Sequence, residues 1–322
     1  MFPSRSDLVI QFSHIAYQFE AQFALRDTGI ANYTTVTPGD TEARIAGADV
    51  IVATALWRNE LLDVAERLKY IQVAGAGYDQ FDTEAIAAKG IRMANGRGVN
   101  TNAVAEHAMA LILGLSRQIH LCRDAQHRGH WRGMNSHIPT REEELPGKTM
   151  LVIGAGQIGA RVATLGKAFG MRPVGMRRSV ASADPVFDEV YPMSEKLQRI
   201  AEADLVVLCC PLTDETRGLI NAEAMTAMKP SAYLINVARG ACVVEDDLVA
   251  ALNAGAFAAA GIDVTDPEPL PENSALWGME NVLLTPHTAG ETRRYEDNVL
   301  DIMMENIQRL ERGEDALLNQ IV

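Results

Sequence analysis

TMLVIGAGQIGARVATLGKAFGMRPVGMRRSV, residues 149–180, decides how the rest of the chain is read. An apolar run ends on Gly154, Gly156 and Gly159, a stretch of helical periodicity follows, and a second short apolar run closes on Arg177 and Arg178. A strand before the glycines and a helix after them lift this pattern above its poor specificity in isolation. Gly154 permits the tight turn, Gly156 lets a pyrophosphate approach the backbone, and Gly159 lets helix and strand pack closely. The amides of Gln157 and Ile158 then face phosphate at a helix N-terminus. A dinucleotide-binding unit is predicted. NAD sites of this kind place a carboxylate after the second strand to hydrogen-bond the ribose hydroxyls. Between positions 160 and 183 there is no Asp or Glu, while Arg161, Lys167, Arg172, Arg177 and Arg178 are basic. Arg177 occupies the place of the missing acid, with Arg178 and Ser179 beside it as further donors. Arginine attracts a 2'-phosphate and offers a hydroxyl no acceptor, so NADP is expected, with NAD possible.

Working outward, residues 172–176, 204–210, 232–237, 259–264 and 281–285 repeat the apolar strand signal, with helical stretches between most of them. Together with 149–156 they make six strands of a doubly wound parallel sheet. Upstream, residues 7–13, 48–54 and 68–74 are strands of a first βα series. Residues 100–126 read as one long helix with polar capping candidates at its start. Residues 127–148 form a crossover rich in His, Arg, Gly and Pro, and a closing amphipathic helix from about Tyr295 to Arg312 is too short to stand alone. The length of 322 residues favours two domains.

The chain carries 29 Lys and Arg against 42 Asp and Glu, a formal charge of -13, which argues against nucleic-acid backbones and anionic membranes as partners. The N-terminus lacks a signal-peptide core, and no segment has the apolar length to span a bilayer, so a cytoplasmic protein is expected. Cys122, Cys209, Cys210 and Cys242 have no ligand spacing and read as reduced thiols. His120, His127, His130 and His137 are not completed by an acid or cysteine, so no metal is expected. His107 reads as a buried, hydrogen-bonded packing residue.

Arg239, Asp263, Glu268 and His287 share a location rather than a spacing, because each falls at or just beyond the carboxyl end of a predicted strand. Parallel strands deliver those ends to one edge, where open α/β sheets bind ligands. Arg, Glu and His gathered there suggest proton and anion chemistry.

Six collinear segments, VAGAGYDQFD (73–82), AVAEHAMALIL (103–113), ELPGKTMLVIGAGQIG (144–159), LINVARGACVVEDDLVAAL (234–252), GIDVTDPEPLP (261–271) and LWGMENVLLTPHTAG (276–290), resemble the D-isomer-specific 2-hydroxyacid dehydrogenases over nearly the whole chain. The resemblance implies a Rossmann-type domain, residues 99–290, inserted in a flavodoxin-like substrate domain, residues 1–98 and 291–322. It implies reduction of a small 2-oxo acid such as glyoxylate or hydroxypyruvate to the D-2-hydroxy acid. Arg239 would bind the substrate carboxylate and polarise the carbonyl, His287 would be the acid/base, and Glu268 would hydrogen-bond the far nitrogen of that histidine. Asp263 would hold the nicotinamide carboxamide, and Cys210, Pro211, Val237, Ala238, Arg239, His287 and Gly290 would complete the cofactor contacts. Ala76 and Gly77, whose amides can surround a carboxylate, join Arg239 and His287 as substrate contacts, with Tyr78 lining or buttressing the pocket. A homodimer through the helix near Ala103 to Gln118 is also implied.

The chemistry agrees with those roles. Hydride arriving at a 2-oxo acid puts negative charge on the carbonyl oxygen, which needs a proton donor and a fixed cation aimed at it. Arginine can bridge two oxygens in a fork that lysine cannot reproduce. Two alternatives stay open: a dinucleotide-sensing scaffold like the C-terminal-binding corepressors, and a short phosphoglycerate dehydrogenase. Formate dehydrogenases, which carry glutamine where Glu268 stands, are disfavoured.

Overall fold

The computed structural model describes residues 2–180 and 184–322. The chain divides into two compact units, Met1–Asn100 with Thr292–Val322, and Thr101–Glu291. In the first unit, β1 (Val9–Ser13), β2 (Ala31–Thr35), β3 (Val50–Ala53), β4 (Tyr70–Val73) and β5 (Arg92–Ala94) form one parallel sheet in the order β2-β1-β3-β4-β5. This is the flavodoxin-like order. Every residue of β3 and β4 is buried, as a parallel sheet covered on both faces requires. The closing helix Tyr295–Glu311 belongs to this unit, and its Val299, Leu300, Met303 and Ile307 join Phe12, Phe19 and Phe23 in one core.

Among the described residues the second unit holds seven parallel strands: β6 (Thr149–Ile153), β7 (Arg172–Met176), β8 (Glu189–Tyr191), β9 (Leu205–Leu208), β10 (Tyr233–Asn236), β11 (Ala259–Ile262) and β12 (Val282–Leu284). Their order is β12-β11-β10-β9-β6-β7-β8. The direction of winding reverses between β6 and β9, the switch point at which a Rossmann sheet opens a crevice for a dinucleotide.

Three strands escaped the sequence reading: β2, β5 and β8. All three lie at sheet edges, where one side needs no partner and burial is incomplete. Polar Asn and Thr in β2 and the three-residue lengths of β5 and β8 leave too little apolar signal to read. The expected single helix is two, Thr101–Ser116 and Ile119–His127, broken at Gln118 in the left-handed conformation, φ 52°. No Gly or Pro marks the break. The first helix is buried along one face against β10, β11 and the helix after the glycine turn, whereas the second has no buried residue, so hydropathy runs on through a change of environment.

Candidate active site

The glycine turn is built as its spacing predicts. Gly154 has φ 103°, and a Cβ there would fall 2.5 Å from Cys210 N; at Gly159 it would fall 2.3 Å from Gly154 O. Both glycines are required by the chain's own packing. A Cβ at Gly156, in contrast, would meet no protein atom within 4 Å, so the protein itself does not demand glycine there. A phosphate group approaching this backbone does, and the residues therefore fit a dinucleotide. The helix Gln157–Ala168 begins at once, and its first backbone bond runs from Ala160 N–H to Gly156 O at 2.8 Å. The amides of Gln157, Ile158 and Gly159 precede that bond and are turned toward the same approach.

At the end of β7 the Arg177 guanidinium donates from Nη1 to Ala155 O at 3.3 Å, which brings it beside the glycine turn. Arg178 and Ser179 follow and are exposed. Of the other basic residues in this stretch, Lys167 pairs with Asp188 at 2.7 Å and Arg172 with Glu189 at 3.1 Å. Those two answer acids at the opposite end of the strand.

Cys210 is buried after β9 and Pro211 beyond it is exposed. The hydrogen bond with the Cys242 thiol, together with burial, pushes the Cys210 thiol up and keeps it neutral. Val237 and Ala238 are buried at the end of β10.

Arg239 follows, exposed, with Nη1 on Ala238 O at 2.6 Å. Gly240 explains how its turn meets the next one: a Cβ there would lie 2.0 Å from the Thr265 carbonyl and 2.6 Å from Asp266 N. The turn of Arg239 is thus pressed backbone to backbone against the turn that carries Glu268. Nothing in the sequence singled out Gly240 for this. Glu268 lies between two cis peptide bonds, Asp266–Pro267 and Glu268–Pro269. Its Oε1 accepts from Thr265 N–H at 3.1 Å, and its Oε2 lies 2.7 Å from Nδ1 of His287. The side chains of His287 and Glu268 are 49% and 35% exposed, so the pair is open to a ligand. A cavity of about 560 Å³ adjoins it, walled by Pro269, Leu270, Trp277, Leu284 and Pro286.

His287 has φ 54°, a conformation that costs an L residue about 1–2 kcal/mol. Asp263, 2% exposed at the end of β11, holds the segment in place. Its carboxylate accepts at Oδ1 from the Thr285 hydroxyl, 2.7 Å, and Thr288 N–H, 3.0 Å, and at Oδ2 from Ala289 N–H, 3.1 Å. Gly290 follows, half-buried. Thr285 was not foreseen from the sequence, because its part depends on where β12 ends relative to β11.

In the first unit, the exposed loop after β4 has its carbonyls held from behind. Tyr295 Oη donates to Ala74 O at 3.1 Å, Gly96 N–H to Gly75 O at 2.8 Å and Asn95 Nδ2 to Ala76 O at 2.7 Å. Among the described residues, none accepts from the amides of Gly75, Ala76 and Gly77. The carbonyls of this loop are thus fixed while its successive amides stay without a protein acceptor. Tyr78 is exposed at its rim.

A seven-stranded Rossmann sheet with Arg, Glu and His at its carboxyl edge defines a class of dinucleotide-dependent oxidoreductases. Residues 109–289 match the D-isomer specific 2-hydroxyacid dehydrogenase, NAD binding domain, and the chain belongs to that family. It is 37% identical over 276 residues to a glyoxylate reductase of Aeropyrum pernix, covering 84% of this chain and 82% of that one. It is 30% identical to a hydroxypyruvate reductase of Blautia hydrogenotrophica, covering 84% of each. A crystal structure of a D-isomer specific 2-hydroxyacid dehydrogenase family protein from Aeromonas salmonicida superposes over 98% of this chain and 99% of that one, with TM-score 0.83 and 30% identity.

Proposed function

We propose that this protein reduces a short 2-oxo acid, with glyoxylate and hydroxypyruvate as the first substrates to test, to the D-2-hydroxy acid, with NADPH preferred over NADH. The observation that carries the reading is the 2.7 Å contact of His287 Nδ1 with the Glu268 carboxylate. A nicotinamide dinucleotide, held by the glycine turn, supplies the hydride when bound. An ionised carboxylate only accepts, so Glu268 keeps a proton on Nδ1 and leaves Nε2 of His287 to donate. That Nε2 proton passes to the carbonyl oxygen as it becomes hydroxyl, and the ring is left neutral with its Nδ1–H still on Glu268. Arg239 holds the substrate carboxylate and draws charge onto the carbonyl oxygen. In the first unit, the unanswered amides of Ala76 and Gly77 support the part in carboxylate binding expected of that loop. Three acceptor sites of Asp263 are used within the protein, and the remaining one on Oδ2 is assigned to the carboxamide of the cofactor.

Arg177, at the end of β7 beside the glycine turn, and the exposed Arg178 support the preference for a 2'-phosphate. We also read the chain as a homodimer, with the contact moved from the expected Ala103–Gln118, which is largely buried, to the segment after it, because the helix Ile119–His127 buries nothing and Trp131, Met134 and Ile138 beyond it are 93%, 104% and 73% exposed. Apolar surface of this extent marks an association site.

Steady-state assay of a panel of 2-oxo acids with both cofactors tests the central reading. The expected result is NADPH oxidation yielding a D product, near-complete loss in Arg239→Ala, and partial recovery in Arg239→Lys, which retains charge without the fork. Absence of turnover with every 2-oxo acid, or wild-type turnover in Arg239→Ala, would overturn it.

A further inference from the structure

The bonds that hold His287 end on His107, on the helix Thr101–Ser116, read from the sequence as a buried packing residue and found half-buried. Its Nε2 lies 2.8 Å from Thr285 Oγ1 and 3.4 Å from Asp263 Oδ1. The Thr285 hydroxyl has one proton, and its 2.7 Å contact with Asp263, an acceptor only when ionised, uses that proton. Toward His107 the hydroxyl can therefore only accept. This places a hydrogen on Nε2 of His107 and makes a chain of bonds with one direction: His107 to Thr285, Thr285 to Asp263.

Asp263 in turn receives the amides of Thr288 and Ala289, and its main-chain oxygen receives that of His287 at 2.7 Å. His287 is thus bonded through its amide to the main chain of Asp263 and flanked on both sides by bonds to the Asp263 carboxylate. His107 and the hydroxyl link that carboxylate and the end of β12 to the helix Thr101–Ser116. The helix bearing His107 is itself anchored: Val104, Ala105, Ala108, Met109, Leu111 and Ile112 around it are buried in the core under the sheet.

We propose that His107 is a positioning residue for His287, acting through Thr285 and Asp263 to hold the left-handed turn in which the imidazole meets Glu268. This rests on the reading of His287 as the acid/base. A left-handed residue persists only where its surroundings over-determine it, and this strut ties the turn to a separate element, the helix Thr101–Ser116.

The test compares His107→Leu, His107→Gln, Thr285→Val and the His107→Leu, Thr285→Val double variant in the full chain. Misplacing a reacting group by about 1 Å can cost on the order of 100-fold, so kcat should fall about 10- to 100-fold in His107→Leu. KM for the 2-oxo acid should stay within about twofold, since Arg239, which holds the substrate carboxylate, lies outside this strut. Gln places an amide donor near the position of Nε2 and should restore most of kcat. Because both residues act on one chain of bonds, the double variant should be no worse than the poorer single one. A readout independent of turnover is the ring 1H–13C signal of His287, identified by its absence in His287→Gln: it should shift in His107→Leu and return in His107→Gln. Unchanged kcat in His107→Leu, additive losses in the double variant, or failure of Gln to restore both kcat and the signal would overturn the proposal. Should His107→Leu fail to fold, Thr285→Val against Thr285→Ser gives the same comparison. Full activity in His287→Gln would instead remove the acid/base reading itself, an outcome separable from these.

Discussion

Nδ1 of His287 and Oε2 of Glu268 stand 2.7 Å apart, although 19 positions separate the residues and they follow different strands. The carboxylate fixes which ring nitrogen is spoken for and how the ring is turned. Glu268→Gln leaves an acceptor of the same shape but only half the oxygens and no charge. We expect kcat to fall about 10- to 100-fold with little change in KM, and His287→Gln to lose about 100- to 10,000-fold. Steady-state kinetics on both variants checks this, and equal kcat in Glu268→Gln and wild type would remove Glu268 from the acid.

Gly240 allows the Arg239 turn to lie against the backbone of Thr265 and Asp266. Gly240→Ala would force those backbones apart, an overpacking cost of about 1–3 kcal/mol. The loss of activity should exceed what the fall in thermal midpoint explains, because the displaced turns carry both Arg239 and Glu268. Kinetics at a temperature where the variant is fully folded separates the two effects.

For the cofactor, a charge-assisted contact to a 2'-phosphate is expected to contribute about 1.5–3 kcal/mol, or roughly tenfold to a hundredfold in affinity. Dissociation constants for NADPH and NADH should therefore differ by that factor in the wild type and converge in the Arg177→Ala, Arg178→Ala double variant. A wild type that binds both equally, or a variant that keeps its preference, argues against a 2'-phosphate contact.

The exposed apolar surface on and beyond the helix Ile119–His127 gives a prediction about assembly. Light scattering should find twice the 35.0 kDa chain mass for the wild type and a shift toward one chain mass in Trp131→Glu, Met134→Glu. Finding the wild type at one chain mass at all concentrations would exclude the dimer.

His14, in the first unit, accepts at Nδ1 from the amides of Ala16 at 3.1 Å and Tyr17 at 2.9 Å. Burial lowers its pKa below the ordinary 6.5, opposed by the charge of Glu296. The unfolded chain then takes up a proton before the folded one does. This contribution to stability is complete above about pH 6.5 and is lost as pH falls through the lowered folded value. Thermal midpoints across pH 5–8 should fall more steeply in the wild type than in His14→Asn, which keeps an acceptor for the two amides and does not titrate.

Much of this was legible in the chain. The glycine turn is a local device: Gly154, Gly156 and Gly159 act within a few residues of one another, so their spacing alone declares strand, turn and helix. Buried parallel strands such as β9 and β10 are apolar throughout, and their runs can be counted without knowing their neighbours. Arg239, Glu268 and His287 were nameable because parallel strands bring their carboxyl ends to a common edge whatever their separation in sequence. Sheet order, the edge strands β2, β5 and β8, and the break at Gln118 were not, since each depends on what lies beside the segment rather than within it. The same holds at the site. That Gly240 must be glycine follows from the approach of Thr265, and that Thr285 and His107 matter follows from a hydroxyl reaching a buried carboxylate on another strand. Contacts between residues distant in sequence are made only when the sheet closes, and tertiary packing alone decides them.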